Sequence, residues 1–238
     1  MAVNPALLLI ADIGGYTRFM NMHRTSLAHA QDMVARLLES VIDAAGPLAL
    51  VEVEGDAAFL FAPPAALTAR DLAQRALAMH HAFHARQQAI LAANTCPCDG
   101  CRQAHQLRLK FVAHVGEVAQ QKVKHLSRLA GLDVILVHRL LKNSVPVPEY
   151  VLMSESLYRQ ADAETREQAR RCEQELEGLG TVETWFVDLA ELAPALPPPA
   201  PAGRLASLRE NCGVFLRTLP YLVGLRKACL GFRNLSPA

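Results

Sequence analysis

Two aspartates stand at turn positions where their carboxylates could share a metal ion. Asp12 follows an apolar run typical of a buried strand, and Asp56 lies in a Gly-Asp turn 44 residues later. If the two segments are neighbouring strands, both carboxylates project from one end of the sheet. Carboxylates at close range repel each other, and a divalent cation such as Mg²⁺ or Mn²⁺ relieves that repulsion. A two-metal site of this kind suits phosphoryl transfer, and the alternative is that both residues only stabilise turns.

A cysteine-rich insert, residues 95–105, contains a second set of metal ligands. Cys96, Cys98 and Cys101 are followed by His105, and thiolates beside an imidazole favour structural Zn²⁺ in tetrahedral coordination. A second Cys-x-x-Cys pair is absent, so water or a partner subunit is an alternative to His105 as the fourth ligand. An iron–sulfur cluster is less favoured, because no further motif supplies a fourth cysteine. A reduced loop without metal is the remaining alternative.

A long helical segment carries His80 and His84 one turn apart. Residues four apart lie on the same helix face, so this pair could hold a metal ion. No acidic residue stands between them in the sequence, which favours a packed or solvated helix face instead.

The composition limits the function classes. Of 238 residues, 51% are hydrophobic and the net charge is +1, which excludes wholesale disorder and a nucleic-acid binder with a strong basic excess. The sequence has no run of 18 apolar residues, so we expect no membrane-spanning helix, and the start of the chain lacks the features of a secretory signal. Three of the six cysteines are clustered and the rest are scattered, which is typical of a reducing compartment. We therefore expect a cytoplasmic protein.

Hydrophobic periodicity and turn residues predict an α+β domain over residues 1–190, with the helices on one face of the sheet. The predicted order is strand 5–11, helix 26–45, two strands within 48–61, helix 66–93, strand 107–118, helix 131–142, strand 150–153, charged helix 164–177 and strand 181–189.

The C-terminal part of the chain differs in composition. Five prolines within 193–203 indicate a semi-rigid linker, assigned here to residues 191–203. The tail 204–238 has six basic residues against one acidic residue, mixed with apolar ones. This pattern predicts contact with anionic lipid, with a partner protein or with the main domain, and contact with the main domain is favoured by its negative charge.

Several short motifs in order resemble the class III adenylate and guanylate cyclases. Asp12-Ile13-Gly14-Gly15-Tyr16-Thr17 resembles the first metal motif of that family, and Glu54-Gly55-Asp56 resembles the second. The others are His114-Val115-Gly116, the segment from Gly131 to Leu140, and the strands near 151–154 and 180–186. The resemblance implies a ferredoxin-like cyclase sheet and a role in signalling.

The resemblance also implies site residues. Asp12, the Ile13 carbonyl and Asp56 would hold two metals. Gly14, Gly15, Tyr16 and Thr17 would form the nucleotide-binding turn, Glu52 would contact the base, and Arg139 would be the catalytic cation. The substrate would be a nucleoside triphosphate, bound at the subunit interface of a homodimer.

Two positions depart from the family pattern. Ile135 stands where the family has a transition-state Asn, and Thr181 falls where it has a phosphate-binding Lys. Losing one preorganised contact of this kind costs about 10²–10³ in rate. The prediction is a divergent cyclase homologue that binds nucleotide and metal with weak or no cyclase activity. An active purine nucleotide cyclase and a non-enzymatic interaction protein are the alternatives.

Overall fold

In the computed structural model, the first apolar run becomes the central strand of a mostly antiparallel sheet. The strand β1, Val3–Gly14, is longer than the predicted 5–11 and is buried from Ala6 to Ala11. The structure describes residues 3–22, 27–63, 69–93, 103–124 and 126–192, together with 208, 212–213, 215–216, 219–220 and 223–225. Most of the cysteine-rich insert, the linker and the tail therefore lies outside the described residues.

Within the described residues, eight strands form one sheet in the order β2-β3-β1-β4-β6-β8-β7, with β5 paired to β4. The β4–β6 pair is parallel and the other pairs are antiparallel. The strands after β1 are β2 Ala49–Glu54, β3 Ala57–Ala62, β4 Arg108–Val123, β5 Leu126–Ala130, β6 Tyr150–Ser154, β7 Arg170–Leu176 and β8 Gly180–Asp188.

Seven α-helices connect these strands in the described parts of the chain. They are α1 Tyr16–Met22, α2 Leu27–Asp43, α3 Ala69–Ala93, α4 Leu132–Arg139, α5 Glu155–Tyr158, α6 Ala163–Gln168 and α7 Leu189–Leu192. None of the described helices is both long enough and apolar enough to cross a membrane.

The predicted α+β cyclase sheet is confirmed, but the helices occupy both of its faces. Leu7 and Leu9 of β1 pack in the core formed with α2 and α3, as expected. Leu8 and Ile10 point to the opposite face, because side chains alternate along a strand, and they pack in a second core with Val137 of α4. The expectation of helices on one face is therefore corrected for α4.

The predicted charged helix 164–177 is wrong over most of its length. Only α6 is helical, and residues 170–176 form β7, which pairs with β8 as a hairpin. In β7 the buried Gln174 and Leu176 alternate with exposed Glu173 and Glu175. A hydrophobicity pattern misses this alternation because Gln174 is a polar residue at a buried position. Its amide can be buried because it is hydrogen-bonded in the folded protein. Its side-chain oxygen accepts a hydrogen bond from the Ser144 amide.

Candidate functional site

The two predicted aspartates lie together at one end of the sheet. Asp12 is paired with Ala57, the residue directly after Asp56, and the Ile13 amide donates to the Asp56 carbonyl at 3.1 Å. Burial raises the pKa of Asp56 to about 6, and the charge of Asp12 adds to that rise. The two carboxylates therefore repel each other in a partly dehydrated place. We call Asp12 and Asp56 the acidic corner.

Sequence reasoning missed a lysine at the acidic corner. Lys110 of β4 lies directly opposite Asp12 in the strand register, and its Nζ is 3.1 Å from Asp12 Oδ2. Lys110 also donates to the Leu141 carbonyl at 3.4 Å. The available signal was weak, because β4 also contains Arg108 and Lys122, and Lys110 stands out only by its apolar neighbours and its even spacing from His114. An even spacing places Lys110 and His114 on the same face of the strand, but it does not identify Asp12 as the partner of Lys110.

The glycine turn after β1 places an aromatic ring beside the acidic corner. Gly15 has φ +87°, a left-handed conformation that glycine adopts without strain, and Tyr16 begins α1 directly after it. Burial raises the pKa of Tyr16, and the charge of Asp56 raises it further. Gly14 ends β1, and Thr17 is exposed on α1. The cavity beside Gly15 is only about 80 Å³, which is too small for a nucleotide.

A larger cavity brings three other predicted positions together. Its volume is about 670 Å³, within the range of small-molecule sites, and Glu52, Ile135 and Arg139 line it. The other charged lining residues are Glu54, Lys142, Glu175 and Glu177. Glu52 lies 3.5 Å from Arg128, so the predicted base-contacting carboxylate has a basic partner within the chain. The side chain of Ile135 is about half exposed and cannot accept or donate a hydrogen bond.

Arg139, the predicted catalytic cation, is held at the surface of this cavity. Its guanidinium donates to the Glu177 carbonyl and lies 3.7 Å from the Glu177 carboxylate. The Glu177 side chain is almost fully exposed, and an ion pair in that setting contributes only about 0–1 kcal/mol. The guanidinium is therefore engaged by Glu177, through a contact weak enough for a bound anion to compete with it.

A buried polar network anchors the helix that carries Ile135 and Arg139. His114 Nδ1 lies 2.7 Å from Ser154 Oγ, and His114 Nε2 lies 3.0 Å from Asp133 Oδ1 near the start of α4. Asp133 also accepts from the Glu117 amide at 2.6 Å. Since His114 and Ser154 are both buried, the network links α4 to β4 and β6.

Thr181 is not part of the cavity that contains Arg139. It lines a separate cavity of about 360 Å³ together with His114 and Ser154. Within one chain, the two positions that depart from the cyclase pattern, Ile135 and Thr181, therefore belong to different cavities.

The predicted zinc ligands are only partly visible. Cys96, Cys98 and Cys101 lie outside the described residues, whereas His105 is exposed in a short 3₁₀ turn, Ala104–Gln106. The zinc site therefore remains a prediction.

The predicted histidine pair on α3 is packed rather than solvated at His80, which is 5% exposed. The pair faces Glu149, a residue that sequence reasoning missed.

Comparison with known proteins gives the family. A model of "Protein of unknown function (DUF2652)" matches residues 34–150, a stretch that includes Asp56, Lys110 and Arg139. A Mycobacterium tuberculosis protein described as "Uncharacterized protein Rv2561/Rv2562" is 44% identical over 205 residues, which are 85% of this chain and 94% of that protein.

Solved structures give the fold. The guanylate cyclase domain of RhGC from Catenaria anguillulae, in complex with GTP, is 17% identical with a TM-score of 0.55, over 79% of this chain and 98% of that one. The adenylyl cyclase CyaB from P. aeruginosa is 14% identical with a TM-score of 0.53, over 84% and 98%. An adenylate cyclase from Trypanosoma brucei in its monomeric state is 16% identical with a TM-score of 0.54, over 81% and 93%. The chain therefore belongs to the family of the Mycobacterium tuberculosis protein Rv2561/Rv2562 and has the fold of the class III adenylyl and guanylyl cyclase catalytic domains.

Proposed function

We propose that this protein is a divergent nucleotide cyclase homologue that binds a nucleoside triphosphate and a divalent cation, Mg²⁺ or Mn²⁺, with weak or no cyclase activity. The observation that carries the proposal is the acidic corner, where Asp12 and Asp56 converge in a fold shared with nucleotide cyclases. A fold alone does not determine an activity, so the activity has to be inferred from the residues of the site.

The charges of the acidic corner favour a divalent cation. With both carboxylates ionised, Asp12 and Asp56 carry two negative charges, and Lys110 supplies one positive charge at 3.1 Å from Asp12. One negative charge is left over in a partly buried place, where an uncompensated charge is costly. Oxygen ligands of this kind are the ones that Mg²⁺ and Mn²⁺ prefer. The raised pKa of Asp56 has the same origin, since a proton relieves the repulsion when no metal does.

The large cavity supports the nucleotide part of the proposal. Its volume of about 670 Å³ suits a small molecule, and among its charged lining residues, which include four glutamates, Arg139 and Lys142 provide cations for phosphate oxygens. Glu52 provides a carboxylate that can accept hydrogen bonds from a purine once Arg128 moves aside. We propose that a homodimer completes the site, with the metal from one subunit and the cations from the other.

The residues of the same cavity explain why we propose weak or no cyclase activity. Ile135 stands beside Arg139 and offers no hydrogen bond to a ribose, and the guanidinium of Arg139 is engaged by Glu177. Catalysis needs groups that meet the charge developing in the transition state, whereas binding needs only the metal and the phosphates.

The experiment is metal-dependent nucleotide binding by the full chain, measured by calorimetry with Mn²⁺ and ATP or GTP, beside mass-spectrometric detection of cyclic nucleotide. We expect binding that Asp12→Asn and Asp56→Asn each weaken at least tenfold, while Asp43→Asn, an exposed carboxylate at the end of α2, has no effect. Fast cyclic-nucleotide release by the natural sequence would refute weak activity. Absence of Mn²⁺-dependent binding would refute the nucleotide function, and light scattering during the titration tests the dimer.

A second candidate function is contact with a protein or a membrane through the tail. Among its described residues, five large apolar ones expose more than half of their surface: Leu208, Phe215, Leu216, Val223 and Leu225. Apolar surface next to basic residues suits an anionic lipid surface. Co-sedimentation of the full chain with anionic and neutral vesicles tests this function. Stronger retention on anionic vesicles, lost in Leu216→Asp/Leu225→Asp, supports lipid contact, and equal recovery of both proteins rules it out.

A further inference from the structure

A second group of ligating side chains lies on α3 and before β6. His80 and His84 occupy successive turns of α3, and Glu149 directly precedes β6. The Nε2 atom of His84 is 2.7 Å from Glu149 Oε1, and the Nε2 atom of His80 is 3.4 Å from Glu149 Oε2. One potential ligand atom of each residue lies within 4.8 Å of the other two. Two imidazoles on one helix and a carboxylate from the sheet thus converge on one point.

A buried glutamine fixes the tautomer of His84. The Nε2 atom of Gln87 donates to the carbonyls of Ala104 at 2.8 Å and Leu107 at 3.0 Å, which settles the orientation of the amide. Its Oε1 atom therefore faces His84 Nδ1, at 3.0 Å, and can only accept. His84 must carry a proton on Nδ1, which leaves Nε2 to face Glu149.

The contact between His84 and Glu149 consequently requires a cation. Glu149 Oε1 already accepts from the Leu109 amide at 3.0 Å, which stabilises the ionised carboxylate. When His84 is neutral, its Nε2 lone pair faces a carboxylate oxygen at 2.7 Å, which is repulsive. A second proton on His84 removes that repulsion, and so does a metal ion bound by both atoms once they move apart to the separation of about 3.3 Å that two ligands of one tetrahedral zinc ion have. An outer amide or carbonyl that accepts from the far ring nitrogen is the arrangement that orients metal-binding histidines.

The surroundings of His80 favour a metal ion over a second proton on His84. His80 is 5% exposed, its Nδ1 atom has no hydrogen-bond partner within the described part of the chain, and its Nε2 atom has only the long 3.4 Å contact with Glu149 Oε2. A buried imidazole with one unsatisfied nitrogen and one weak contact is unusual, because burial removes the water that would otherwise satisfy it. A proton shared by His84 and Glu149 leaves His80 as it is, whereas a metal ion coordinated by all three residues satisfies its Nε2 atom.

We propose that His80, His84 and Glu149 bind Zn²⁺ or a similar first-row divalent ion, with water as the fourth ligand. Two imidazole nitrogens and one carboxylate oxygen form a ligand set that Zn²⁺ accepts in tetrahedral geometry. The ion joins α3 to the residue preceding β6, while Gln87 and the Leu109 amide connect the same point to the start of β4. Zn²⁺ here therefore stabilises the packing of α3 on the sheet. This site uses neither Asp12 nor Asp56, so it does not depend on the proposed nucleotide function.

The test is metal content of the full chain after chelation and reloading with Zn²⁺. We expect Glu149→Gln, which keeps the side-chain shape and the acceptor for Leu109, to lose one zinc equivalent per chain. His84→Gln should lose the same equivalent. His81→Gln, on the adjacent helix position, and Asp56→Asn should keep it. Cys98→Ser should also keep it, because any zinc held by the cysteine-rich insert is a separate equivalent.

Thermal unfolding gives a second measurement. Zn²⁺ should raise the melting temperature of the natural sequence and of Cys98→Ser, and it should not change the melting temperature of the double variant Cys98→Ser/Glu149→Gln. X-ray absorption of zinc-loaded Cys98→Ser does not depend on the folding of a ligand variant, and it should show nitrogen and oxygen ligands, including two imidazoles, without sulfur. The proposal is overturned if Cys98→Ser removes all bound zinc, or if Glu149→Gln keeps its full zinc content.

Discussion

The ammonium group of Lys110 lies 3.1 Å from Oδ2 of Asp12. The acidic corner therefore contains a cation of its own, which a metal ion has to displace or share. Both side chains are mostly buried, so their attraction is stronger than that of a surface pair. We therefore expect Lys110 to oppose the proposed metal binding at the acidic corner and to stabilise the protein without metal.

Replacing this lysine should tighten metal binding. In Lys110→Met the repulsion between the ammonium and the incoming cation is gone, and Asp12 Oδ2 is free. We expect the Mn²⁺ affinity, measured by calorimetry without nucleotide at pH 8, to rise about tenfold, which corresponds to about 1.4 kcal/mol. The metal-free protein should lose about 1–3 kcal/mol in free energy of unfolding.

The matched control is Lys122→Met, an exposed lysine on the same strand. It should change neither quantity. If Lys110→Met binds Mn²⁺ more weakly than the natural sequence, then Lys110 assists the metal and the assignment of opposing roles is wrong.

The pKa of Asp56 gives a pH-dependent stability with a defined sign. Its folded value of about 6 lies above the unfolded value near 3.9, so the folded protein holds a proton that the unfolded chain releases. The associated stability is fully present below pH of about 4 and is lost as the pH rises through about 6. Asp56→Asn removes the titration, so it should be more stable than the natural sequence at pH 8 and not at pH 4.

Chemical denaturation at these two pH values in the presence of chelator measures the difference. The gain at pH 8 should be about 1 kcal/mol, because partial exposure of Asp56 screens the repulsion. Added Mn²⁺ should reverse the order, since it stabilises only the protein with both carboxylates. An equal free-energy difference at pH 4 and pH 8 would show that Asp56 titrates normally.

The sequence predicted the acidic corner because Asp56 lies in a turn between two strands and Asp12 lies near the end of another strand, just before a glycine turn. Local patterns mark such turns, and the order of the motifs indicates that the strands are neighbours. Lys110 escaped prediction because its partner depends on the register between β1 and β4, which brings residues 98 positions apart side by side. Glu149 escaped for a similar reason, since it lies 65 residues beyond His84. Helical spacing revealed the two histidines and could not reveal a ligand from another element.

The fold was predicted best where burial follows hydrophobicity. Strand β3 and the segment Ala6–Ala11 of β1 are almost wholly buried, and their apolar runs identify them. Strand β7 was predicted as helix because its charged residues conceal an alternation that depends on the buried amide of Gln174. The location of α4 on the second face of the sheet also could not be predicted. Strand β1 is apolar on both faces, and periodicity does not show which helix covers which face.

The His114 network leaves no room for a side chain at Gly116. A methyl group there would overlap the carboxylate of Asp133 and approach His114 Nε2. Gly116→Ala must therefore displace the Asp133 carboxylate and the His114 ring and break their contact, and we expect a loss of about 1–3 kcal/mol in free energy of unfolding. Gly14→Ala is the control, because its added carbon would lie 3.7 Å from Arg108 Cβ, an ordinary contact. Equal stability of the two variants would mean that α4 is not held by this network.

Restoring a hydrogen-bonding group at position 135 should increase cyclase activity. Ile135 shares the large cavity with Arg139, and its side chain is about half exposed, so Ile135→Asn should alter the free energy of unfolding by less than about 0.5 kcal/mol. One preorganised donor contributes about 10²–10³ to the rate in a complete site. In this site, where Glu177 still engages Arg139, we expect at least a tenfold rise in cyclic-nucleotide release with Mn²⁺, measured by mass spectrometry.

Two variants make this last experiment decisive. Ile135→Val keeps an apolar side chain and should behave like the natural sequence, so a rise in both variants would come from a change in shape and not from the hydrogen bond. The double variant Ile135→Asn/Asp56→Asn should lose the gained activity, because the metal at the acidic corner has to activate the attacking oxygen. If the double variant keeps that activity, the product does not come from the acidic corner. If Ile135→Asn binds Mn²⁺ and nucleotide yet releases no more product than Ile135→Val, the missing amide is not what limits the reaction, and the engagement of Arg139 by Glu177 becomes the next contact to remove.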